Sequence, residues 1–346
     1  MKNKFNIFSD GLKFSVLAIG LIACSRDAEL QSPNLSPFSI EIPAGFPSPE
    51  IPADNAMTQN RVSLGKRLFF EKALSIDSSI SCASCHFQIN GFSDPKRFSL
   101  GVGDSIGVRN AMALSNVAYQ EDFFWDGGVP SLELQVLAPI ENPLEMNFSV
   151  PQVVERLKND PSYISDFKKA YNREPDAYAL VRAIAAFERT FISGNSPFDQ
   201  YTYQGKTSAL SASALRGKDI FFGEKAECFH CHTGFNFTDN RFQNNGLYSE
   251  YQDIGRARVT IKSSDIGRFK TPSLRNIEVT APYMHDGSIA SLEAVVQHYM
   301  SGGKGHPNQS PLIKPFTLTL QEQQDLIAFL KSLTDESFLN RQSLQP

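Results

Sequence analysis

The chain has 346 residues, enough for about two domains of common size. Hydrophobic residues make up 41% and charged residues 20% of it, near the globular average, which excludes a wholly disordered, collagenous or coiled-coil chain. Lys and Arg number 33 against 37 Asp and Glu, a net charge of −4 with no basic run, so a nucleic-acid partner is not expected.

The first 24 residues have the pattern of a bacterial export signal. Three lysines precede the apolar run 14–23, which is too short for a membrane-spanning helix of about 20 residues. The run ends at Leu21-Ile22-Ala23-Cys24, which resembles a lipoprotein lipobox. We expect residues 1–23 to be a cleaved signal peptide and Cys24 to carry lipid, with an ordinary signal peptide as the alternative. Cys24 would then anchor a periplasm-facing protein to a bacterial membrane, and the proline-rich residues 24–55 are typical of a tether.

One sequence design occurs twice in the rest of the chain. Residues 65–70, Gly-Lys-Arg-Leu-Phe-Phe, recur as Gly-Lys-Asp-Ile-Phe-Phe at 217–222, and a Cys-x-x-Cys-His motif follows each copy. An internal repeat of this length indicates two related domains. We place them at residues 56–200 and 201–340, with turn-forming residues at the boundary.

Helix signals dominate both halves. Ser149 is a candidate N-cap with Pro151 in the first helical turn, and residues 319–322 form a capping box. Apolar residues recur every three or four positions in two segments: Leu180, Ile184, Phe187 and Phe191, then Leu326, Phe329, Leu330 and Leu333. Such stripes are typical of core packing, and strand alternation is hard to find. The sequence therefore predicts a mainly α fold with long loops.

The two Cys-x-x-Cys-His motifs have the spacing of covalent haem attachment. They consist of Cys82, Cys85 and His86, and of Cys228, Cys231 and His232. In this motif the thiols bond to the vinyl groups of a haem and the histidine binds the iron. Zinc and dithiol redox sites use the same residue types and remain alternatives, although no zinc-type fourth-ligand pattern accompanies the motifs. Export favours two covalently bound haem c groups, with both histidines as axial ligands.

From Thr58 to about Leu333 the chain resembles the bacterial di-haem cytochrome c peroxidases and their relative MauG. The matching segments are Arg109-Asn110, Phe-Trp-Asp-Gly at 124–127, Pro-Ile-Glu-Asn-Pro-Leu-Glu-Met at 139–146, Thr-Pro-Ser-Leu-Arg-Asn at 271–276, and Thr-Ala-Pro-Tyr-Met-His-Asp-Gly at 280–287. The resemblance implies two cytochrome c-like haem domains and an enzyme that reduces hydrogen peroxide with electrons from a small c-type cytochrome or a similar periplasmic donor. A MauG-like oxidase of a protein or organic substrate and a non-catalytic electron carrier are the alternatives, and homodimer formation is left open.

The resemblance also implies roles for individual residues. Trp125 would lie between the two haems. Glu145 would lie on the distal side of the N-terminal haem, where a buried carboxyl can move protons during peroxide cleavage. Asn110 and the carbonyl groups of Thr280 and Pro282 would hold one calcium ion between the domains.

The two haems are expected to differ in their distal ligands. Classical peroxidases of the family have a distal histidine between the first motif and the Arg-Asn pair, whereas residues 87–108 contain no histidine, methionine or cysteine. The N-terminal haem should therefore be five-coordinate or water-bound. In the C-terminal half, the resemblance implies a distal ligand seven residues after a leucine, and counting from Leu292 gives Tyr299, with Met300 and Met284 as alternatives. Adjacent residues on a helix point about 100° apart, so only one of Tyr299 and Met300 can face the iron.

Overall fold

The polypeptide consists of α-helices joined by long loops. The computed structural model describes Met1 and residues 36–346, so the predicted signal peptide, Cys24 and the first part of the tether lie outside the described residues. Within the described part the helices are α1 (Gln59–Phe69), α2 (Leu132–Glu141), α3 (Val150–Lys158), α4 (Pro161–Tyr171), α5 (Ala177–Glu188), α6 (Pro197–Tyr203), α7 (Ala212–Phe221), α8 (Ala257–Thr260), α9 (Leu292–Met300), α10 (Leu320–Lys331) and α11 (Glu336–Leu339). Strands β1 (Phe242–Gln243) and β2 (Phe269–Lys270) form a short antiparallel sheet. The prediction of a mainly α fold is confirmed, and none of the described helices is long and apolar enough to cross a membrane.

The helices begin where the local sequence signals place them. Thr319 and Glu322 form the predicted capping box at the start of α10. Ser149 is the N-cap of α3 with Pro151 in the first turn, but its hydroxyl donates to the Gln152 side chain instead of capping the backbone. The two apolar stripes predicted for α5 and α10 are buried, which confirms that they form the core.

The repeated glycine lies where two helices cross in each half. Gly65 of α1 packs on α5, and Gly217 of α7 packs on α10. A Cβ atom at either position would come within 1.8 Å of a backbone oxygen of the facing helix, Ala183 O or Asp325 O. Because only glycine lacks a Cβ atom, only glycine permits this approach. The repeat in sequence is therefore a helix pair that the chain builds twice.

A longer repeat, with an offset of 160 residues, covers the loops and helices that follow each motif. Asn116 and Asn276 both adopt a left-handed backbone conformation, and a short 3-10 helix follows each of them. Ser131 and Ser291 both cap the next helix, α2 or α9, through the side-chain oxygen. Positions that lie 160 residues apart can therefore be compared directly between the two halves.

Residues 36–55 lie against the folded body. Phe46 is buried against another phenylalanine ring, with the ring centroids 4.6 Å apart. Asn55 is fully buried and donates through Nδ2 to Glu133 Oε1 at 2.9 Å. The prediction that residues 24–55 form a tether is therefore wrong for this second part, because its apolar and amide side chains find partners that a proline-rich composition does not reveal.

The C-terminal residues return to the N-terminal half. Phe338, Leu339 and Leu344 are buried in the same apolar cluster as Phe92 and Phe191. The last segment of the chain thus completes the core beside the first Cys-x-x-Cys-His motif, which ties the two halves together.

Candidate functional site

Each Cys-x-x-Cys-His motif holds its histidine ring by a backbone oxygen. His86 Nδ1 lies 2.7 Å from Phe92 O, and His232 Nδ1 lies 3.1 Å from Phe237 O. A carbonyl oxygen only accepts, so Nδ1 carries the proton in both rings and Nε2 is left as a metal ligand. Burial, partly opposed by this hydrogen bond, lowers the pKa of both histidines, so both rings are neutral at neutral pH.

None of the four motif cysteines forms a disulfide, and burial disfavours the thiolate form of each. Burial is the main cause that raises the pKa of all four, to about 11 for Cys85 and Cys231 and to about 12 for Cys228. A dithiol redox centre needs an accessible thiolate, which this environment disfavours. Among the described residues, the one cluster of three potential metal ligands with atoms within 4.8 Å of one another contains no cysteine. The geometry therefore favours neither a dithiol nor a zinc centre.

A cavity of about 470 Å³ lies beside the second motif. Its wall contains the motif residues Cys228, Cys231 and His232 and, from elsewhere in the chain, Asn110, Trp125, Asn240, Lys270, Thr271, Thr280, Pro282, Met284, His285 and Tyr299. Thr271 Oγ1 and Asn240 Oδ1 are buried without a hydrogen-bond partner among the described residues, although buried polar groups normally have one. A largely apolar ligand with polar substituents, such as haem, fits a cavity of this size and lining.

The first motif lies at a smaller cavity of about 280 Å³, whose wall contains His86 together with Phe70, Phe92 and Leu339. The residue Leu339 comes from the returning C-terminal segment, which sequence reasoning did not connect to this site. Leu344, five residues further on, is buried as well.

Glu145 lies near the first motif, in the turn that follows α2. Burial is the main cause of the raised pKa of the Cys82 and Cys85 thiols, and the negative charge of Glu145 is one of the smaller causes. Burial raises the pKa of Glu145 itself, against one opposing interaction, a hydrogen bond from Asn142 Nδ2 to Glu145 Oε1 of 2.7 Å. Asn142 Oδ1 in turn accepts from the backbone N–H of Leu144 at 3.0 Å. The turn therefore holds one carboxylate oxygen and leaves Oε2 without this restraint.

Trp125 connects the two halves of the chain through its polar groups. Its Nε1–H donates to Asn110 O at 2.9 Å, and its carbonyl oxygen accepts from Lys270 N at 2.8 Å. His285 stacks on Phe269 at 3.7 Å between ring centroids, and burial lowers the pKa of His285 to about 4. Trp125 packs in one apolar cluster with Phe269, the ring on which His285 stacks.

Arg109 links the same region by ion pairs. Its guanidinium donates to both oxygens of Asp253, at 2.6 and 2.9 Å, and to Asp126 Oδ2 at 2.7 Å. All three side chains are largely buried. Because Asp253 belongs to the C-terminal half and Asp126 follows Trp125 directly, this triad fixes the tryptophan segment against the second half.

Tyr299 and Met300 have different surroundings. Tyr299 lines the cavity together with Cys228, whereas Met300 is absent from its wall and packs on the apolar core of the C-terminal half. The 160-residue repeat agrees with this difference, since Met300 corresponds to Ile140, which is also buried in a core. Tyr299 corresponds to Pro139, whose side chain has no ligand atom.

The residues predicted to bind calcium reach the same cavity. Asn110, Thr280 and Pro282 all line its wall. Asn110 Nδ2 donates to the carbonyl oxygens of Lys96 and Arg97, at 3.0 and 3.2 Å, which leaves Oδ1 as the side-chain atom with the chemistry of a calcium ligand.

Sequence reasoning missed three polar residues at these sites. Asn142, Asn245 and Lys270 each contact a predicted functional residue or line the cavity. The spacing of Asn142 three residues before Glu145 is a local signal that could have identified it. Asn245 lies in a loop and Lys270 in β2, both far along the chain from Met284 and Trp125 that they contact, so no sequence spacing would have found them.

The chain contains two similar helical halves, and each has an oriented histidine directly after a Cys-x-x-Cys pair that is not in a disulfide. These features define a c-type cytochrome with two haem-binding units. The profile of the family described as Di-haem cytochrome c peroxidase matches residues 59–208, and that of Cytochrome c matches residues 214–334. The methylamine utilization protein MauG of Methylorubrum extorquens is 40% identical over 92% of this chain and 89% of its own length. Cytochrome-c peroxidase IdrP1 of Denitromonas iodatirespirans is 35% identical over 95% and 94%.

The chain is also similar to a solved structure of a MauG-like protein. The crystal structure of a MauG-like protein associated with microbial copper homeostasis has a TM-score of 0.84 and 35% identity to this chain, covering 89% of this chain and 98% of that one. The chain belongs to the di-haem cytochrome c peroxidase family. It is accordingly a haem-dependent oxidoreductase with two haem c groups.

We expect the purified protein to contain two c-type haems per chain, because each motif supplies two thiols and one histidine. The measurement is the pyridine haemochrome spectrum of protein made in a host with haem-attachment machinery, referred to protein concentration. A Cys228→Ala, Cys231→Ala double variant should retain one covalent haem, attached to the first motif. Stoichiometric zinc, or one haem in the unaltered chain, would contradict the assignment.

Proposed function

We propose that this protein reduces hydrogen peroxide to water at its N-terminal haem, with electrons that a small c-type cytochrome or a similar donor delivers through the C-terminal haem. The observation that carries the proposal is the buried carboxyl of Glu145 beside the first motif, in a half whose residues 87–108 contain no histidine, methionine or cysteine. An electron carrier needs neither an open coordination position nor a proton-transfer group next to it. A peroxidase needs both.

The haems are held by the two motifs. Cys82 and Cys85 would form thioethers with one haem and Cys228 and Cys231 with the other, while His86 and His232 would bind iron through Nε2. When bound, the haem iron supplies the electron-transfer and peroxide-cleaving chemistry. The chain's own contribution is the position of the groups around it.

Glu145 moves the protons of the reaction. Peroxide cleavage requires a proton to leave one oxygen and reach the other, from which water departs. Asn142 occupies Glu145 Oε1, so Oε2 is the atom that accepts and returns this proton. Burial raises the pKa of the carboxyl, which brings its protonation closer to neutral pH and makes it a better proton donor and acceptor there.

Residues 87–108 would leave the distal side of the N-terminal haem without a protein ligand. Residues 87–108 contain no histidine, methionine or cysteine, and α2 has Pro139 where α9 has Tyr299. Peroxide access therefore does not await the release of a protein ligand.

Tyr299 would be the distal ligand of the C-terminal haem. It lines the cavity of the second motif, and Met300 packs on the core instead. A tyrosine oxygen stabilises ferric iron, whereas a methionine thioether raises the haem potential.

We expect Tyr299→Phe to change the EPR and near-infrared spectra of the C-terminal haem, and Met300→Leu to leave them as they are. The reason is that only Tyr299 contributes to the cavity wall. Both variants are compared with the unaltered protein at equal haem content. A methionine–iron charge-transfer band that disappears only in Met300→Leu would show that the register is wrong by one residue.

Trp125 carries electrons between the two halves, and one calcium ion orders the region around it. The hydrogen bonds of Trp125 to Asn110 and Lys270 and its position at the cavity wall support the first role. The Asn110 side-chain oxygen and the carbonyls of Thr280 and Pro282 are the calcium ligands. Transient kinetics of Trp125→Phe and elemental analysis of Asn110→Ala test the two roles separately.

The mature protein is exported and anchored to a bacterial membrane by lipid on Cys24. The support is the signal pattern of residues 1–24 and the compartment in which haem c is attached. We expect Cys24→Ala to shift the protein from the membrane fraction to the soluble periplasmic fraction. The measurement is an immunoblot of the two fractions, and protein that remains in the membrane would contradict the lipid anchor.

The function is tested by stopped-flow absorbance. Peroxide is added to the ferric protein, and reduced cytochrome c is then mixed in; we expect a rapid haem absorbance change followed by cytochrome c oxidation in proportion to peroxide. An absorbance change without cytochrome c oxidation would instead favour the MauG-like oxidase. If the protein did not react with peroxide, the result would favour the non-catalytic electron carrier.

A further inference from the structure

Asn245 interacts with two cavity residues that the sequence offers as candidate ligands of the C-terminal haem, Met284 and Tyr299. Its Nδ2 donates to Met284 Sδ at 3.2 Å. The same side chain interacts with the Tyr299 hydroxyl. All three residues line the cavity that also contains Cys228 and His232.

The orientation of the Asn245 amide is fixed from both sides. Its Oδ1 accepts from the backbone N–H of Leu247 at 3.2 Å, so Nδ2 is directed to the opposite side, where Met284 lies. The Asn245 backbone oxygen pairs with His298 Nε2 at 3.1 Å. Since His298 and Tyr299 are neighbours on α9, this bond also fixes Asn245 relative to the helix that carries Tyr299.

An amide N–H affects sulfur and oxygen ligands in different ways. A thioether is a weak acceptor, and a sulfur atom that receives a hydrogen bond is a poorer donor to a metal. The oxygen of a tyrosine ligand is negatively charged when it binds iron, and an amide close to it stabilises that charge. One side chain can therefore weaken one candidate ligand and strengthen the other.

We propose that Asn245 selects the distal ligand of the C-terminal haem, by holding the Met284 thioether away from the iron and supporting the Tyr299 oxygen. This role rests on the proposed function of Tyr299 as ligand. The N-terminal half needs no such residue, because the positions that correspond to Met284 and Tyr299 are Phe124 and Pro139, neither of which has a ligand atom. Asn245 is thus a positioning residue that keeps the potential of this haem low, since methionine ligation would raise it.

The test replaces Asn245 in the haem-loaded protein in two ways. Asn245→Leu removes the N–H donor at similar size, and Asn245→Asp removes the donor but keeps the oxygen that accepts from Leu247. In both variants we expect a methionine–iron charge-transfer band to appear in the near-infrared and the reduction potential of one haem to rise. Adding Met284→Leu to either variant should abolish the band.

Three results would overturn the proposal. The first is an unchanged spectrum and potential in both Asn245 variants, and the second is a change in Asn245→Leu alone, which would point to the turn at Leu247 and not to the N–H donor. The third is a band that persists after Met284→Leu. Equal haem content and equal far-ultraviolet circular dichroism verify that the variants are folded, and peroxide turnover of the unaltered protein tests the proposed function separately.

Discussion

Glu145→Gln is expected to retain both haems and to lower the rate of peroxide turnover by about 10²–10⁴-fold, the usual contribution of a positioned acid or base. Glutamine keeps the size of the side chain and can still pair with Asn142, but it has no carboxyl to accept and return the proton. Steady-state peroxide consumption with reduced cytochrome c as donor measures the effect. The matched control is Glu141→Gln, an exposed carboxyl four residues earlier, which should retain the original rate.

The pH dependence of the same reaction gives a second readout. Burial raises the pKa of Glu145, so the carboxylate that starts the reaction is lost as the pH falls through this raised value. The acid limb of the rate should therefore lie above the ordinary glutamate pKa of about 4.3. In Glu145→Gln the limb should disappear. A Gln variant with the original rate and the original acid limb would show that another group transfers the proton.

Arg109→Leu is expected to lower the free energy of unfolding by about 3–5 kcal/mol, because it leaves two largely buried carboxylates, Asp126 and Asp253, without their cation. Urea unfolding followed by circular dichroism measures the difference. Lys158→Ala is the control, since its partner Glu155 is on the surface and such exposed ion pairs contribute little to stability. A loss for Arg109→Leu no larger than the control would mean that the triad does not stabilise the fold.

The effect of Arg109 should depend on pH. Burial alone would raise the pKa of Asp253, but the hydrogen bonds from Arg109 hold that pKa below its usual value. In the unaltered protein this stabilisation is present above the pKa of the unfolded chain and is lost as the pH falls through the lower folded value. Without Arg109, burial raises the folded pKa instead, so the variant gains stability as the pH falls. The two proteins should therefore converge in stability at acid pH.

The helical architecture was accessible from the chain because its signals are local. The capping box at Thr319, the apolar stripes of α5 and α10 and the repeated Gly-Lys-x-x-Phe-Phe segment each depend on neighbours within one or two helical turns. The haem motifs are local in the same sense, since two thiols and a histidine must be adjacent to react with one haem. The oriented histidine rings follow from the chain segment directly after each motif.

The packing of residues 36–55 and of the C-terminal segment was not accessible in this way. Phe46 and Leu344 are buried by parts of the chain that lie far away in sequence, and composition does not report such contacts. The proline-rich residues 24–55 therefore resembled a tether, although residues 36–55 pack against the rest of the folded chain.

The sequence by itself determined that the chain is helical, that it is built twice on one plan and that it attaches haem at two places, because each of these follows from residues close together along the chain. Only the tertiary structure decided which side chains meet at each site. The direction of α9 brings Tyr299 and not Met300 to the cavity, and a distant loop brings Asn245 to Tyr299. The physical reason is that a side chain's surroundings depend on how helices and loops pack, and that packing joins residues which no spacing in the sequence relates.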